Sequence, residues 1–249
     1  GRAACGRRCG MSTPLPPWRS VLAVVAHPDD ESFGLGAVLS AFAETGATVS
    51  VLCFTRGEAS TLQGVDGDLA RIRDGELRAA ASELGIGHVE LTSYPDGDLS
   101  SVDLTTLAGD VAACMNADGI IGFDADGVTG HPDHRRATQA AHEAARALRL
   151  QVLGWTVPAH VAATLNAEFG ASFTGHDSSD IDVVVTVDRT RQSKAVACHP
   201  SQAVPGSVLW RRLELTGDRE YLRHQHTNPD PPPVFPGEQD PTTRKGQRA

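Results

Sequence analysis

Val21-Leu-Ala-Val-Val-Ala26 runs without a break into His27-Pro28-Asp29-Asp30-Glu31. The first six residues are apolar throughout and rich in β-branched side chains, the pattern of a strand buried on both faces of a parallel sheet. Pro28 has no N–H to give to a ladder, so the strand has to end there. The ionisable residues His27, Asp29, Asp30 and Glu31 therefore fall at the carboxyl end of the strand, where open parallel sheets bind their ligands.

The same rhythm continues outward from this point. Further strands are expected over 48–55, 88–94, 119–123 and 151–157, and helices over 34–43, 68–84 (ended by Gly85), 104–116 and 132–150. Residues 180–188 alternate acidic and apolar before becoming Val183-Val-Val185, which suits a strand nearer the sheet edge; helices over 190–197 and 208–224 follow. Alternating strands and helices imply right-handed crossovers. The expected fold is α/β, a doubly wound, mainly parallel, Rossmann-like sheet with helices on both faces. One domain is expected over residues 18–227. Met11-Ser-Thr-Pro has the look of a native start, which would put residues 1–10 upstream of it, and residues 1–17 as a whole are read as a disordered or non-native leader. From Asn228 the composition turns to Pro, Gly, Gln, Thr and Arg, too poor in apolar surface to offset ordering, and residues 228–249 are read as a disordered tail.

Composition narrows the function classes. The formal net charge is −9 and lysine occurs only at Lys194 and Lys245, so there is no basic stripe to suit nucleic acid or an anionic membrane surface. No apolar run nears the roughly 20 residues that span a bilayer. Cys5, Cys9, Cys53, Cys114 and Cys198 are scattered with no CxxC pair, which indicates neither a disulfide framework nor a thiolate metal site and fits a reducing cytoplasm.

A second cluster, His131-Pro132-Asp133-His134, follows the expected fourth strand across the loop Asp124–Gly130 and opens the Ala-rich helix. Pro132 suits the first turn, where its missing N–H costs nothing. His131 and His134 are three apart, so one turn of helix aims both at one point. A lone HxxH is more often capping or core histidine than ligand. Two His-Pro-Asp motifs, each at the carboxyl end of a strand in one sheet, are far harder to reach by accident. A His/Asp/His set with an open fourth position suits Zn2+, and the same N/O donors suit Fe2+ or Co2+.

Ala26-His-Pro-Asp-Asp-Glu31 and Gly130-His-Pro-Asp-His134 resemble the zinc deacetylase superfamily of the N-acetylglucosaminyl-phosphatidylinositol deacetylases and the bacterial thiol-biosynthesis sugar deacetylases. Thr55-Arg-Gly-Glu58, Arg73 with Glu76-Leu77, Pro95-Asp96-Gly97 and His199-Pro-Ser-Gln202 extend the resemblance in the family's order, over about residues 21 to 203. It implies His27, Asp30 and His134 as metal ligands, Asp29 as general base, and His131, as imidazolium, facing the developing oxyanion. It places Arg73 and Asp96 near the hydroxyls of a small substrate, an N-acylated amino sugar. Zinc acidifies water to a pKa of about 7, and a neighbouring carboxylate can take its proton and return it to the leaving amine. Glu31 and Asp133 receive no firm role beyond second-rank partners of the ligands or helix-terminus charges. Thr129 stands where some of the family's sugar deacetylases carry a tyrosine, so nothing supports a phenol's assistance here.

The reading is a metal-dependent hydrolase of an N-acyl bond. The alternatives are an amidase acting on a larger thiol conjugate and a non-catalytic metal- or sugar-binding protein of the same fold. An intact Asp29 beside intact ligand positions favours the enzyme, since a binding protein needs no base there.

Overall fold

The computed structural model describes residues 13–61, 67–114 and 116–225. The first part of the expected leader (residues 1–12) and the expected tail lie outside the described residues. Residues 13–17 belong to the folded body: the Thr13 N–H donates to Val184 O at 2.7 Å, and Leu15 packs on the core. The body therefore begins ahead of residue 18, because Leu15 finds an apolar seat.

Seven strands form one sheet: β1 (Ser20–Val25), β2 (Thr48–Thr55), β3 (His88–Tyr94), β4 (Gly119–Phe123), β5 (Gln151–Thr156), β6 (Val183–Thr186) and β7 (Arg219–Gln225), in the order β3-β2-β1-β4-β5-β7-β6. The first five pair in parallel, and β7 pairs antiparallel with both β5 and β6. The fold is thus the expected Rossmann-like α/β class. Along β1 and the residue after it, Val21, Ala23 and Val25 enter one core, whereas Leu22, Val24 and Ala26 enter the other, which is why the strand is apolar from Val21 onward. Helices cover both faces. The first core is closed by α2 (Gly36–Glu44) and α3 (Leu69–Leu84), the second by α4 (Leu104–Ala113) and α5 (Pro132–Leu148). Ala137, Ala140, Ala141 and Ala144 give α5 a small-residue face toward the second core. The Asp68 carboxylate caps the start of α3, and Gly85, at φ 79, ends it in the left-handed conformation glycine adopts freely.

The order reverses at β1. From there the chain proceeds to β2 and β3 on one side and returns to β4 and β5 on the other. Between β1 and β4 lies the switch-point crevice, and both His-Pro-Asp motifs leave the sheet there. The first continues into the single turn α1 (Asp30–Phe33), the second into α5.

One expectation needs correction, and one element is new: a helix, α6 (Ala159–Phe169), occupies a stretch to which the sequence reading assigned no element. The helix expected over 208–224 ends early: α7 (Thr190–Ala197) is followed by α8 (Val208–Thr216), the chain turns at Gly217 with φ 57, and residues 219–225 become β7. The strand was hidden because one of its inward positions carries a charge. Glu220, 1% exposed, accepts from Trp155 Nε1 at 2.8 Å and Arg212 Nη1 at 2.8 Å, with Arg189 as a third donor. Arg212 lies over the Trp155 ring, 5.1 Å from its centroid. No helix among the described residues is long and apolar enough to cross a membrane, and the described cysteines, Cys53, Cys114 and Cys198, are free.

Glu220→Ala would leave the Arg212 guanidinium buried without its counter-charge. Breaking a buried pair from one side costs about 3–5 kcal/mol, so urea unfolding should show a loss of that order. A loss below about 1 kcal/mol would mean that water or another group replaces the carboxylate.

Candidate metal centre and active site

His27 lies two residues beyond the end of β1, Asp30 opens α1, and His134 is in the first turn of α5. All three are buried, and their donor atoms converge. His27 Nδ1 lies 3.2 Å from His134 Nε2, His134 Nε2 lies 3.1 Å from Asp30 Oδ1, and His27 Nδ1 lies 3.7 Å from Asp30 Oδ2. Donors about 2.0–2.1 Å from a tetrahedral ion would be about 3.3 Å apart, so the three atoms fit a divalent cation between them.

The outward nitrogens of both rings explain why these atoms face inward. His27 Nε2 lies 3.1 Å from Asp96 Oδ1 and 3.3 Å from Asp133 Oδ2, so this nitrogen donates to the carboxylates and Nδ1 is the one that faces inward. His134 Nδ1 lies 2.7 Å from Thr129 Oγ1, and with that hydroxyl as its partner Nε2 is the nitrogen turned to the cluster. The inward nitrogens and the Asp30 carboxylate converge on one point, where a divalent cation would take the place of any ring proton, and this convergence is the strongest sign that the residues fit a metal. Burial works against a charged His27, but Asp133, Asp96, Asp30 and Asp29 outweigh it and raise its pKa to about 10. For Asp30 burial pushes upward, yet His134 and His27 hold it well below the ordinary carboxylate range.

Other donor groupings lie nearby. His27, His131 and His134 have ring nitrogens within 4.8 Å of one another, as do donors of His27, Asp96 and Asp133. Their remaining atoms are committed elsewhere. Asp133 accepts from the N–H groups of Gly97 at 2.8 Å and Leu99 at 3.1 Å, and Asp96 accepts from Ala59 N–H at 2.7 Å. His131 Nδ1 caps α5 by accepting the Asp133 N–H at 3.2 Å. Burial, followed by the charges of His27 and His134, lowers the His131 pKa, which disfavours the imidazolium expected from the sequence. The neutral ring still carries a proton on Nε2, because Nδ1 is the acceptor, and that nitrogen remains a donor.

Asp29 lines the same cavity, and burial pushes its carboxyl up to about 6 despite the opposing charge of Arg73. Arg73 was expected to hold substrate. Its guanidinium instead donates to Gly57 O at 2.8 Å and to Pro28 O, and lies 3.3 Å from Asp29 Oδ1. Gly57 permits this contact, since a Cβ there would stand 2.2 Å from Arg73 Nη1. Asp96, expected as its partner on the substrate, is likewise turned to His27 and Ala59. Both residues line the cavity, but as supports of the cluster. Thr129, noted in the sequence only as standing in place of a tyrosine, is found as a partner of His134 only once the fold sets the two side by side.

The cavity measures about 680 Å3. His27, Asp29, Asp30 and His131 form its polar end, and Phe33, Phe123, Trp155 and Phe173 are among its apolar walls. The switch-point crevice of this Rossmann-like fold thus holds a buried two-histidine, one-carboxylate cluster, with Asp29, paired to Arg73, on the same cavity wall.

The family model described as PIG-L, GlcNAc-PI de-N-acetylase, matches residues 22–145 of the chain. The 1D-myo-inositol 2-acetamido-2-deoxy-alpha-D-glucopyranoside deacetylase of Kineococcus radiotolerans is 32% identical over 156 residues, 49% of this chain and 43% of the relative. The chain spans about half the length of the curated relatives it matches. Among solved structures, the zinc-inhibited form of teicoplanin deacetylase Orf2 aligns with a TM-score of 0.63 at 21% identity, covering 82% of this chain and 97% of that one. GalB, the 4-carboxy-2-hydroxymuconate hydratase of Pseudomonas putida KT2440, aligns with a TM-score of 0.57 at 18% identity, covering 89% and 98%. These two likenesses establish the fold alone, which evidently hosts more than one reaction.

Two outcomes follow from the geometry. Thr129→Val removes the hydroxyl that orients His134, and changes of this kind typically cost 10–100-fold in metal affinity; competition with a chromophoric chelator should register it, and an unchanged affinity would count against this ligand set. Arg73→Ala should lower kcat with little change in KM, because it frees Asp29 and removes no substrate contact; a KM effect alone would restore Arg73 as a substrate ligand.

Proposed function

We propose that this chain hydrolyses the N-acetyl group of an amino-sugar derivative with a divalent cation, zinc in the first instance, held by His27, Asp30 and His134. The observation that carries the reading is the convergence of His27, Asp30 and His134 with Asp29 on the wall of the same cavity. The family match over residues 22–145 and the deacetylase activity described for the Kineococcus relative support the substrate class.

When bound, a divalent cation supplies Lewis-acid polarisation of an amide oxygen and acidifies water. Asp29 accepts a proton from the attacking water and returns it to the leaving nitrogen, so that amide and water become carboxylic acid and amine. Arg73 holds the Asp29 carboxylate in place during both transfers. His131 donates Nε2–H to the amide oxygen as it gains negative charge; losing one such donor costs about 3–4 kcal/mol of barrier. The apolar walls keep bulk water from the reacting centre, which strengthens each of these interactions.

Release of free amine from a panel of N-acetylated amino sugars, measured with metal-reconstituted protein, tests the assignment. Turnover of at least one sugar amide is expected, and its absence across the panel would remove the sugar substrate. Asp29→Asn should bind metal normally and lose about 10²–10⁴ in kcat, the usual contribution of a positioned general base. A fully metallated variant with wild-type kcat would take Asp29 out of the mechanism.

A further inference from the structure

Glu31 is next to Asp30 and fully buried, yet it points away from the metal cluster and plays no part in the chemistry above. Its Oε2 accepts the backbone N–H of Asp29 at 2.8 Å. Its Oε1 accepts from Ser32 Oγ at 2.6 Å and lies 2.8 Å from Nε2 of His199, a ring with no exposed surface. Behind His199, its Nδ1 lies 3.9 Å from Glu76 Oε2 and has no closer partner. Glu76 in turn accepts the N–H of Ser201 at 3.0 Å and its hydroxyl at 2.5 Å. A buried polar chain thus runs from the segment after α7, through α3, to the backbone of Asp29.

That backbone is unusual. Asp29 has φ 133 and ψ −24, a region that non-glycine residues enter at a cost of about 1–3 kcal/mol and keep only when their surroundings impose it. Asp29 is also the N-cap of α1, where an aspartate ordinarily turns its carboxylate onto the N–H groups of the first turn. Here it makes no such bond. Glu31, two residues on, reaches back to the Asp29 N–H, much as the third-position acid does in a capping box. The carboxylate of Asp29 is left facing the cavity and Arg73.

We propose that Glu31, braced by His199, is a positioning residue that holds Asp29 at positive φ and so keeps its carboxylate in the cavity instead of on the end of α1. The proposal rests on the reading of Asp29 as the catalytic base. It accounts for His199 of the late His199-Pro-Ser-Gln202 element, which lies more than 160 residues from Glu31 in the chain.

The test uses the metal-loaded full chain with Glu31→Ala, Glu31→Gln, Asp29→Asn and the double variant Glu31→Gln/Asp29→Asn, each assayed for kcat, KM and metal content. Glu31→Ala should lower kcat by about 100-fold, within the range for a positioned base, with KM and one metal per chain unchanged. Glu31→Gln keeps an oxygen for the Asp29 N–H and should recover most of that loss. In the Asp29→Asn background Glu31→Gln should have no further effect, because a residue acting only through Asp29 is non-additive with it. A crystal structure of Glu31→Ala should show Asp29 at negative φ with its carboxylate capping α1.

Wild-type kcat in folded Glu31→Ala, or a parallel fall in metal content, overturns the proposal. So do equal losses from Glu31→Gln in both backgrounds, a measurement that stands even if Glu31→Ala does not fold. Wild-type kcat in Asp29→Asn would instead remove the catalytic reading on which the proposal depends, which separates the two failures.

Discussion

The parallel pairing of β1 with β4 is the contact on which the rest of the molecule depends. Val21, Leu22 and Ala23 register with Gly119, Ile120 and Ile121, joining two segments almost a hundred residues apart. Closing so long a loop is entropically unfavourable, although the penalty grows only slowly with length. What offsets it is burial on both faces, since Val21 to Val25 and Ile120, Ile121 and Phe123 each belong to one core or the other. A slip of one residue would exchange the faces of every side chain. The register is therefore fixed, and so is the separation of the two His-Pro-Asp motifs that leave the strand ends.

Around that contact the site is built in ranks. His27, Asp30 and His134 supply the inward atoms, while Asp133, Asp96 and Thr129 decide which ring nitrogen faces inward. Asp133 is held by two backbone N–H groups, and Arg73 bridges two backbone carbonyls and Asp29. Few of these groups keep rotational freedom, which is what precise chemistry requires. Strain collects in the same place. Asp29 at φ 133 and the β-branched Val128 at φ 57 flank the cluster, each within a few residues of a proposed ligand. The polar network of the further inference ties the first of these to α3 and to the segment after α7, so distant parts of the chain share in setting one carboxylate.

The legible and illegible parts of the sequence differ for a physical reason. β1 could be read because two-sided burial makes it apolar from Val21 onward, and α5 because its Pro132 start and alanine face are local signals. β7 could not. Its inward Glu220 is neutralised by Arg189 and Arg212, partners from two other elements, so its alternation looked polar where it should have looked apolar. Arg73 and Asp96 were correctly placed at the cavity, yet the atoms they present to it are taken by Gly57, Pro28, Asp29, Ala59 and His27.

By itself the sequence determined the fold class, the switch-point location and the donor types at the site, because these follow from local periodicity and from residues adjacent in the chain. Only the tertiary structure decided which nitrogen each histidine turns inward, that Thr129 and Asp133 set those choices, and that Glu31 faces His199. Those outcomes depend on hydrogen-bond partners brought from other segments. Hydrogen bonds are directional over a few tenths of an ångström, and no pattern along a single strand or helix encodes which distant atom will stand at that distance.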